Sequence, residues 1–471
     1  MSDFETAAAI AAAVGSRRRS AREVIDATLA GISRGDKRLN AFTAVTADRA
    51  RARAAAIDAA MAGGAPPGPL AGVPFAVKNL IDIAGLPTLA GSRINRDHRP
   101  AAEDATLVAR LEAAGAVLVG ALNMGEYAYD FTGENNHYGP SRNPHDTTRM
   151  SGGSSGGSGS AVGGALVPLA LGSDTNGSIR VPASFCGTFG LKPTYGRLPR
   201  AGSFPFVSSL DHLGPLARNT RDLALAYDAM QGHDPLDPVC AHRPAEPATP
   251  TLDRGVGGLR IVRAGGYFRA GATPKALSAL DLVATTLGVE REIEIPEAAR
   301  ARSAAYVITA SEGASLHLDR LRERPGDFDP EVRDRLIAGA LIPGIAVVRA
   351  QKFRRWYREV VLRLFEEVDA IIAPATPFVA PPIGQKNFML GGKEVPLRPN
   401  IGIYTQPISF IGLPVVAVPV PDAADGLPIG AQIITAPWRE DIALRISHSL
   451  EAAGVVKAPP PRWLGKPGRA D

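Results

Sequence analysis

Short, unbroken apolar runs, rather than alternating ones, most constrain how this chain can fold. Residues 73–77 (V-P-F-A-V), 116–119 (A-V-L-V), 415–418 (V-V-A-V) and 429–434 (I-G-A-Q-I-I) each lack a polar face. A strand points successive side chains to opposite sides, so such runs fit strands covered on both faces. Residues 104–114 read as a helix with Leu107, Val108 and Leu111 on one side, stopped by Gly115. A helix between two continuous apolar runs predicts a parallel or mixed sheet with helices on both faces.

Ser20-Ala21-Arg22-Glu23 has the pattern of a capping box, followed by Ile25, Leu29 and Ile32 on one helical face, so a helical layer opens the chain. Further strands are expected at 259–262, 289–295 and 369–374, and a helix along Phe353, Trp356, Tyr357, Val360 and Leu364. Residues 241–258 read as a surface loop. There is no internal repeat and no compositional break. The expectation is one α/β unit over 1–471: a helical layer to about 65, a core over about 66–235, and the remainder of the same unit over about 236–471.

Hydrophobic residues make up 45% of the chain and net charge is +5 with scattered arginines, so no basic strip for nucleic acid is visible. The chain starts acidic, an alanine run precedes Arg17-Arg18-Arg19, and no stretch of 18 apolar residues exists, so neither a signal peptide nor a membrane span is expected. Two cysteines, Cys186 and Cys240, fit a reducing compartment, which makes a cytoplasmic location the expectation. No zinc spacing, phosphate loop or dinucleotide fingerprint occurs, and no cofactor or metal is expected.

Gly152-Gly153-Ser154-Ser155-Gly156 matches the nucleophile elbow G-x-S-x-G, but the preceding N-P-H-D-T-T-R-M cannot be a central strand. The Gly/Ser tract 151–160 resembles a linker, yet it runs directly into the core-like stretch 161–171. Lys78 ends an apolar run. A buried lysine without a carboxylate partner loses charge and can act as a base. Taken alone, a lysine whose stem carries its amine to the surface, or one paired with Asp82, is the better reading. The turn 172–180 (G-S-D-T-N-G-S-I-R) presents Ser178 after an apolar run, among small residues whose N–H groups could converge on an oxyanion. An ordinary strand-to-helix turn with a capping serine fits equally well.

In combination, G-V-P-F-A-V-K-N at 72–79, G-G-S-S-G-G-S at 152–158 and D-T-N-G-S-I-R-V-P-A at 174–183 resemble the amidase-signature family. G-L-K-P-T at 190–194, A-P-A-T-P at 373–377 and G-L-P-V-V at 412–416 extend the resemblance over most of the chain. It implies a large mixed twisted sheet covered by helices, and a Ser-cisSer-Lys triad. In that triad Ser178 is the nucleophile, Ser154 the relay preceded by a cis peptide, and Lys78 the base. The oxyanion hole would be the N–H groups of Thr175, Asn176, Gly177 and Ser178. Ser155 and Asp174 would support the site by hydrogen bonding, and Arg180 would be structural. The implied reaction cleaves a small amide to carboxylate and ammonia without a cofactor.

Asn176 departs from the usual D-T-G-G-S, and its tolerance of left-handed backbone is the expected reason that the turn survives. Residues 174–183, 201–207 and 227–232 look like the 1-carboxybiuret hydrolase branch, which implies a small accessory subunit; a homodimer or higher oligomer is also expected. An alternative is the glutaminase component of a glutamyl-tRNA amidotransferase, its so-called A chain. A non-catalytic scaffold is a third, against which all three of Lys78, Ser154 and Ser178 are present. Arg335 lies where a related amidotransferase component places a substrate-binding arginine, although a solvent-exposed helix arginine is the stronger expectation.

Overall fold

The structure is a computed structural model that describes residues 5–421 and 426–461. The acidic opening at residues 1–4 lies outside them. Among the described residues eleven strands form one sheet. In chain order the first six are β1 (Phe42–Val45), β2 (Pro74–Lys78), β3 (Val117–Leu122), β4 (Leu169–Asp174), β5 (Phe189–Lys192) and β6 (His212–Ala217). The later five are β7 (Ile261–Ala264), β8 (Glu292–Ile293), β9 (Ala370–Pro374), β10 (Val415–Val420) and β11 (Ile429–Thr435). Their spatial order is β1-β3-β2-β4-β6-β5-β10-β11-β9-β7-β8, so all three stretches of the chain contribute to it.

The sheet is mixed, as the apolar runs require. Strand β2 runs parallel to both β3 and β4, while β4 is antiparallel to β6 and β11 is antiparallel to β9 and β10. Every residue of β2, β3, β4, β9, β10 and β11 is buried, which means both faces of the sheet are covered there. The edges are weaker. Strand β1 is mostly half-exposed, and β8 is only two residues long, which leaves little open edge for another chain to pair with.

The opening layer holds the helices Ala7–Gly15, Ala21–Leu39 and Ala47–Ala62. Ser20 and Glu23 form the expected capping box, each side chain bonding the other's backbone N–H. The layer is not purely helical, because it contains β1, which pairs with β3. The strand expected over 289–295 shrinks to Glu292–Ile293, and the loop 241–258 contains a 3-10 turn, Thr249–Arg254. The aromatic stripe at 353–364 lies on the longer helix Gly344–Glu367, where Tyr357 is buried but Trp356 is 44% exposed. The preceding strand of the apparent nucleophile elbow, Asp146–Met150, belongs to a separate two-stranded ribbon, so that match is accidental.

The Gly/Ser tract is not a linker. Residues 151–160 are all buried, and Gly156–Gly163 is a helix. Gly157 explains why bulk is excluded: a Cβ there would lie 2.5 Å from the carbonyl oxygens of Ala41 and Asn123. The helix start is thereby pressed against the end of β3. The sheet then sets the site. Val77 of β2 pairs with Leu171 of the parallel neighbour β4, so the carboxyl ends of both strands emerge side by side. Lys78 stands at one end and Ser173-Asp174 at the other, where ligand sites of open α/β sheets form.

Candidate active site

Lys78 is fully buried. Its Nζ donates to the Ser154 hydroxyl at 2.7 Å and to the Ser173 hydroxyl at 2.8 Å. Both alternatives for an isolated Lys78 are thus set aside, since it neither reaches solvent nor pairs with Asp82, whose carboxylate accepts from Thr88. Burial lowers the Lys78 pKa from 10.5 to about 7, against the pull of the Asp211, Asp174 and Asp130 carboxylates. That fall corresponds to ~5 kcal/mol of bias against the ammonium form.

A depressed lysine pKa alone does not identify a base. Lys192 is equally buried and also lowered to about 7, first by burial and then by Arg180. Its Nζ, however, bonds the Pro193 carbonyl at 3.1 Å and His212 Nε2 at 3.3 Å and meets no serine among the described residues. Partners, not titration, separate the two.

The Gly153–Ser154 peptide is cis. Gly153 N–H donates to the Phe131 carbonyl at 2.9 Å, and the Ser154 carbonyl accepts from Gly125 N–H at 3.1 Å. Ser155 Oγ donates to the Ser173 carbonyl at 3.1 Å and accepts from Ser173 N–H at 3.2 Å. Ser155 therefore fastens the residue whose hydroxyl meets Lys78.

The turn after β4 is held from below. Asp174 receives Nε and Nη2 of Arg180, each at 3.0 Å, along with Ile179 N–H at 3.2 Å and the Ser409 hydroxyl at 3.1 Å. Burial works to raise the Asp174 pKa, but the Arg180 charge and hydrogen bonds win and hold the carboxyl well below the ordinary range. Arg180 is fully buried and spends its other donors on the Thr405 carbonyl and Gln432, a structural position. The backbone N–H groups of Thr175, Asn176, Gly177 and Ser178 donate to no described residue. The Ser178 hydroxyl likewise makes no hydrogen bond with a described residue, and Ser178 lines a cavity of about 460 Å³.

Asn176 does not take left-handed backbone, so that expectation fails; the positive φ, +141°, falls on Gly177. Gly177 is required twice, because a Cβ there would also lie 2.2 Å from Thr405 Oγ1. Thr405 Oγ1 in turn donates to the Asn176 carbonyl at 2.6 Å. The Asn176 side chain turns away to donate to Thr309 Oγ1 at 2.9 Å.

Arg335 is not the solvent-exposed helix arginine expected from its charged neighbours. It lines the cavity, half-buried, with its guanidinium 4.0 Å from the centre of the Tyr129 ring. It donates to the carbonyls of Tyr129 and Glu331 and has no carboxylate partner among the described residues. The other cavity arginine, Arg398, is neutralised by Asp130 and Glu134.

Ser173, Asp130, Asp211 and Thr405 escaped the sequence reading. Ser173 sits inside the quoted turn, one residue from Asp174, and carried a usable signal. Asp211, which accepts from Thr175 Oγ1 at 2.6 Å, and Thr405 have no motif of their own.

Comparisons with known proteins place the chain in a family. The family model described as "Amidase" matches residues 23–444. AtzE, the 1-carboxybiuret hydrolase component of Pseudomonas sp. (strain ADP), is 56% identical over 445 residues, covering 94% of this chain and 97% of that protein. The A component of the glutamyl-tRNA(Gln) amidotransferase of Anaeromyxobacter sp. (strain K) is 39% identical, covering 95% of this chain and 96% of the relative. A solved structure described as a vestigial protein complex that reveals the evolutionary origins of an s-triazine catabolic enzyme superposes with a TM-score of 0.96 at 55% identity. It covers 97% of this chain and 100% of its own. With a buried lysine–serine pair beneath a turn of free N–H groups, and a family match across most of its length, the chain belongs to the amidase family and is an amidase.

Proposed function

We propose that the chain hydrolyses a small urea-like amide bearing a carboxylate, in the manner of a 1-carboxybiuret hydrolase, through Lys78, Ser154 and Ser178. The observation that carries this reading is the 2.7 Å contact between a fully buried Lys78 amine and the Ser154 hydroxyl. At a pKa of about 7 the amine is half neutral at neutral pH. A neutral amine has one lone pair, and donating N–H to Ser173 leaves that pair free for Ser154.

Lys78 Nζ takes the Ser154 proton as Ser154 Oγ takes the Ser178 proton, and Ser178 Oγ adds to the amide carbonyl carbon. The negative oxygen is met by the N–H groups of Thr175, Asn176, Gly177 and Ser178, which have no competing acceptor among the described residues to give up. The C–N bond then breaks, and the proton stored on Lys78 returns through Ser154 to the nitrogen, which leaves as ammonia. Water adds to the Ser178 ester with its proton following the same path, and the carboxylate departs as Ser178 regains its hydrogen.

Arg335 supports the acidic substrate, since a cation facing the cavity with no carboxylate partner among the described residues is available to one from outside. The 56% identity to a 1-carboxybiuret hydrolase component supports the same choice. A small accessory subunit or a second copy of the chain belongs to this reading, because the similar solved structure is described as a protein complex.

Ammonia release is to be measured across 1-carboxybiuret, biuret, malonamide, glutamine and simple aliphatic amides. The expected order puts 1-carboxybiuret first, with Ser178→Ala and Lys78→Ala each reducing the rate at least ~10³-fold in folded protein. Near-full activity in either variant refutes the assigned role, and a preference for glutamine points instead to the amidotransferase component.

A further inference from the structure

The cavity wall contributed by the later part of the chain carries a carboxamide with a fixed orientation. Gln406 opens the short helix Gln406–Ser409 and is 1% exposed, with that exposure in the cavity it lines. Its Oε1 accepts from Arg302 Nε at 2.9 Å. A guanidinium has only N–H donors, so its partner has to be the amide oxygen, and this fixes which end of the carboxamide is which. The Gln406 amide nitrogen donates to no described residue and is not among the polar atoms sealed from the cavity.

Both ends of this arrangement are anchored. Arg302 Nη2 also donates to the Pro399 carbonyl at 2.8 Å and to Asn400 Oδ1 at 2.7 Å. The helix that carries Gln406 is tied to the turn below Ser178: Thr405 Oγ1 bonds the Asn176 carbonyl, and Ser409 Oγ bonds Asp174. An N–H donor is therefore held beside the turn that presents Ser178, pointing at cavity contents. The carbonyl under attack already has the backbone N–H groups of residues 175–178 to meet its oxygen. Another fixed donor is of use to a substrate with another acceptor.

We propose that Gln406 is a specificity-determining residue that hydrogen-bonds a second carbonyl oxygen, one lying beyond the amide being cleaved, as acylated ureas carry, with Arg302 as its positioning residue. This rests on the hydrolytic reading above and deepens it. The backbone donors take the oxygen of the reacting carbonyl, Gln406 takes the neighbouring carbonyl, and Arg335 takes a terminal carboxylate. A monoamide lacking the second oxygen leaves the Gln406 donor without a partner once water is displaced.

The test uses the full chain and compares kcat and KM for biuret and 1-carboxybiuret with those for propionamide. Gln406→Met, close in size, removes the donor. Gln406→Glu keeps the Arg302 contact and replaces the donor with an acceptor oxygen. For each, the ratio of kcat/KM between two-carbonyl substrates and propionamide falls about tenfold or more, carried by KM, and Gln406→Glu falls further. Arg302→Met gives the same selective KM effect, and the Arg302→Met/Gln406→Met double variant adds little to either single one. Equal losses on all substrates, or a loss confined to kcat, overturn the proposal: the first makes Gln406 structural and the second places it on the developing charge. Absence of ammonia release by wild-type protein from every substrate removes the hydrolytic reading, and this proposal with it. Ready hydrolysis by wild type with no preference for the second carbonyl removes this proposal alone.

Discussion

Acid titrates the proposed base directly, and the structure sets where. With the Lys78 pKa at about 7, the active neutral amine dominates above neutrality. At pH 6 roughly a tenth of it remains neutral, and at pH 5 roughly a hundredth, so kcat/KM is expected to fall tenfold per pH unit along a line of unit slope. Initial rates of ammonia release between pH 5 and 9 at constant ionic strength measure this. Lys192 also sits at about 7, so the midpoint alone does not name the lysine. Ser173→Ala does. The Ser173 hydroxyl accepts from Lys78 at 2.8 Å and so favours its charged form, whereas Lys192 has no contact with Ser173. A hydrogen bond from a charged donor contributes roughly 1.5–3 kcal/mol and one from a neutral donor roughly 0.5–1.5, so the difference of about 1–1.5 kcal/mol is about one pKa unit. The midpoint should therefore move down by that amount, with a lower plateau because the lone pair of Lys78 is no longer oriented. A rate that stays flat to pH 5, or a midpoint that ignores Ser173→Ala, refutes the reasoning.

The same lysine should make the fold less stable than it could be. Its folded pKa lies below its unfolded value, so between about pH 7 and 10.5 the unfolded chain binds more protons and stability rises with pH. Lys78→Met is expected to melt higher than wild type at pH 7 by differential scanning fluorimetry, and the gap should narrow towards pH 10. Arg180→Met leaves the fully buried Asp174 carboxylate unpaired and is expected to cost ~3–5 kcal/mol in denaturant unfolding. Adding Asp174→Asn to that variant should recover part of the loss, because it removes the stranded charge.

The features read most clearly in the sequence are those that one short segment determines. Residues 73–77, 415–418 and 429–434 announce buried strands because both of their faces are apolar, and β2, β10 and β11 are fully buried. Lys78, Ser154 and the turn 174–178 were legible as an ordered set, although no one of them was decisive alone. The meeting of Lys78 with Ser173, just before that turn, needs β2 beside β4, a pairing between residues about ninety apart that periodicity does not encode. Strand β1 and the two-residue β8 were missed or overdrawn because half-exposed edges lack an apolar signature. Arg335 looked solvent-exposed because Arg333 and Asp334 are charged neighbours, yet its place depends on Tyr129, 206 residues away. Gln406 and Arg302 were silent for the same reason: a glutamine and an arginine acquire meaning only once the Gln406–Ser409 helix is fastened to Asp174 and Asn176.

That fastening has a consequence for how such an enzyme can diversify. The proposed bond-breaking residues are drawn from residues 78–178 and anchored to neighbouring strands, while much of the cavity's remaining lining comes from residues 306–406. On the proposed reading, substitutions at 335 or 406 would retune which molecule is accepted without disturbing the proton path through Lys78 and Ser154. The cross-ties through Thr405 and Ser409 keep the two halves in register while this happens, so a lineage could explore new nitrogen compounds by small steps, each passing through a working catalyst.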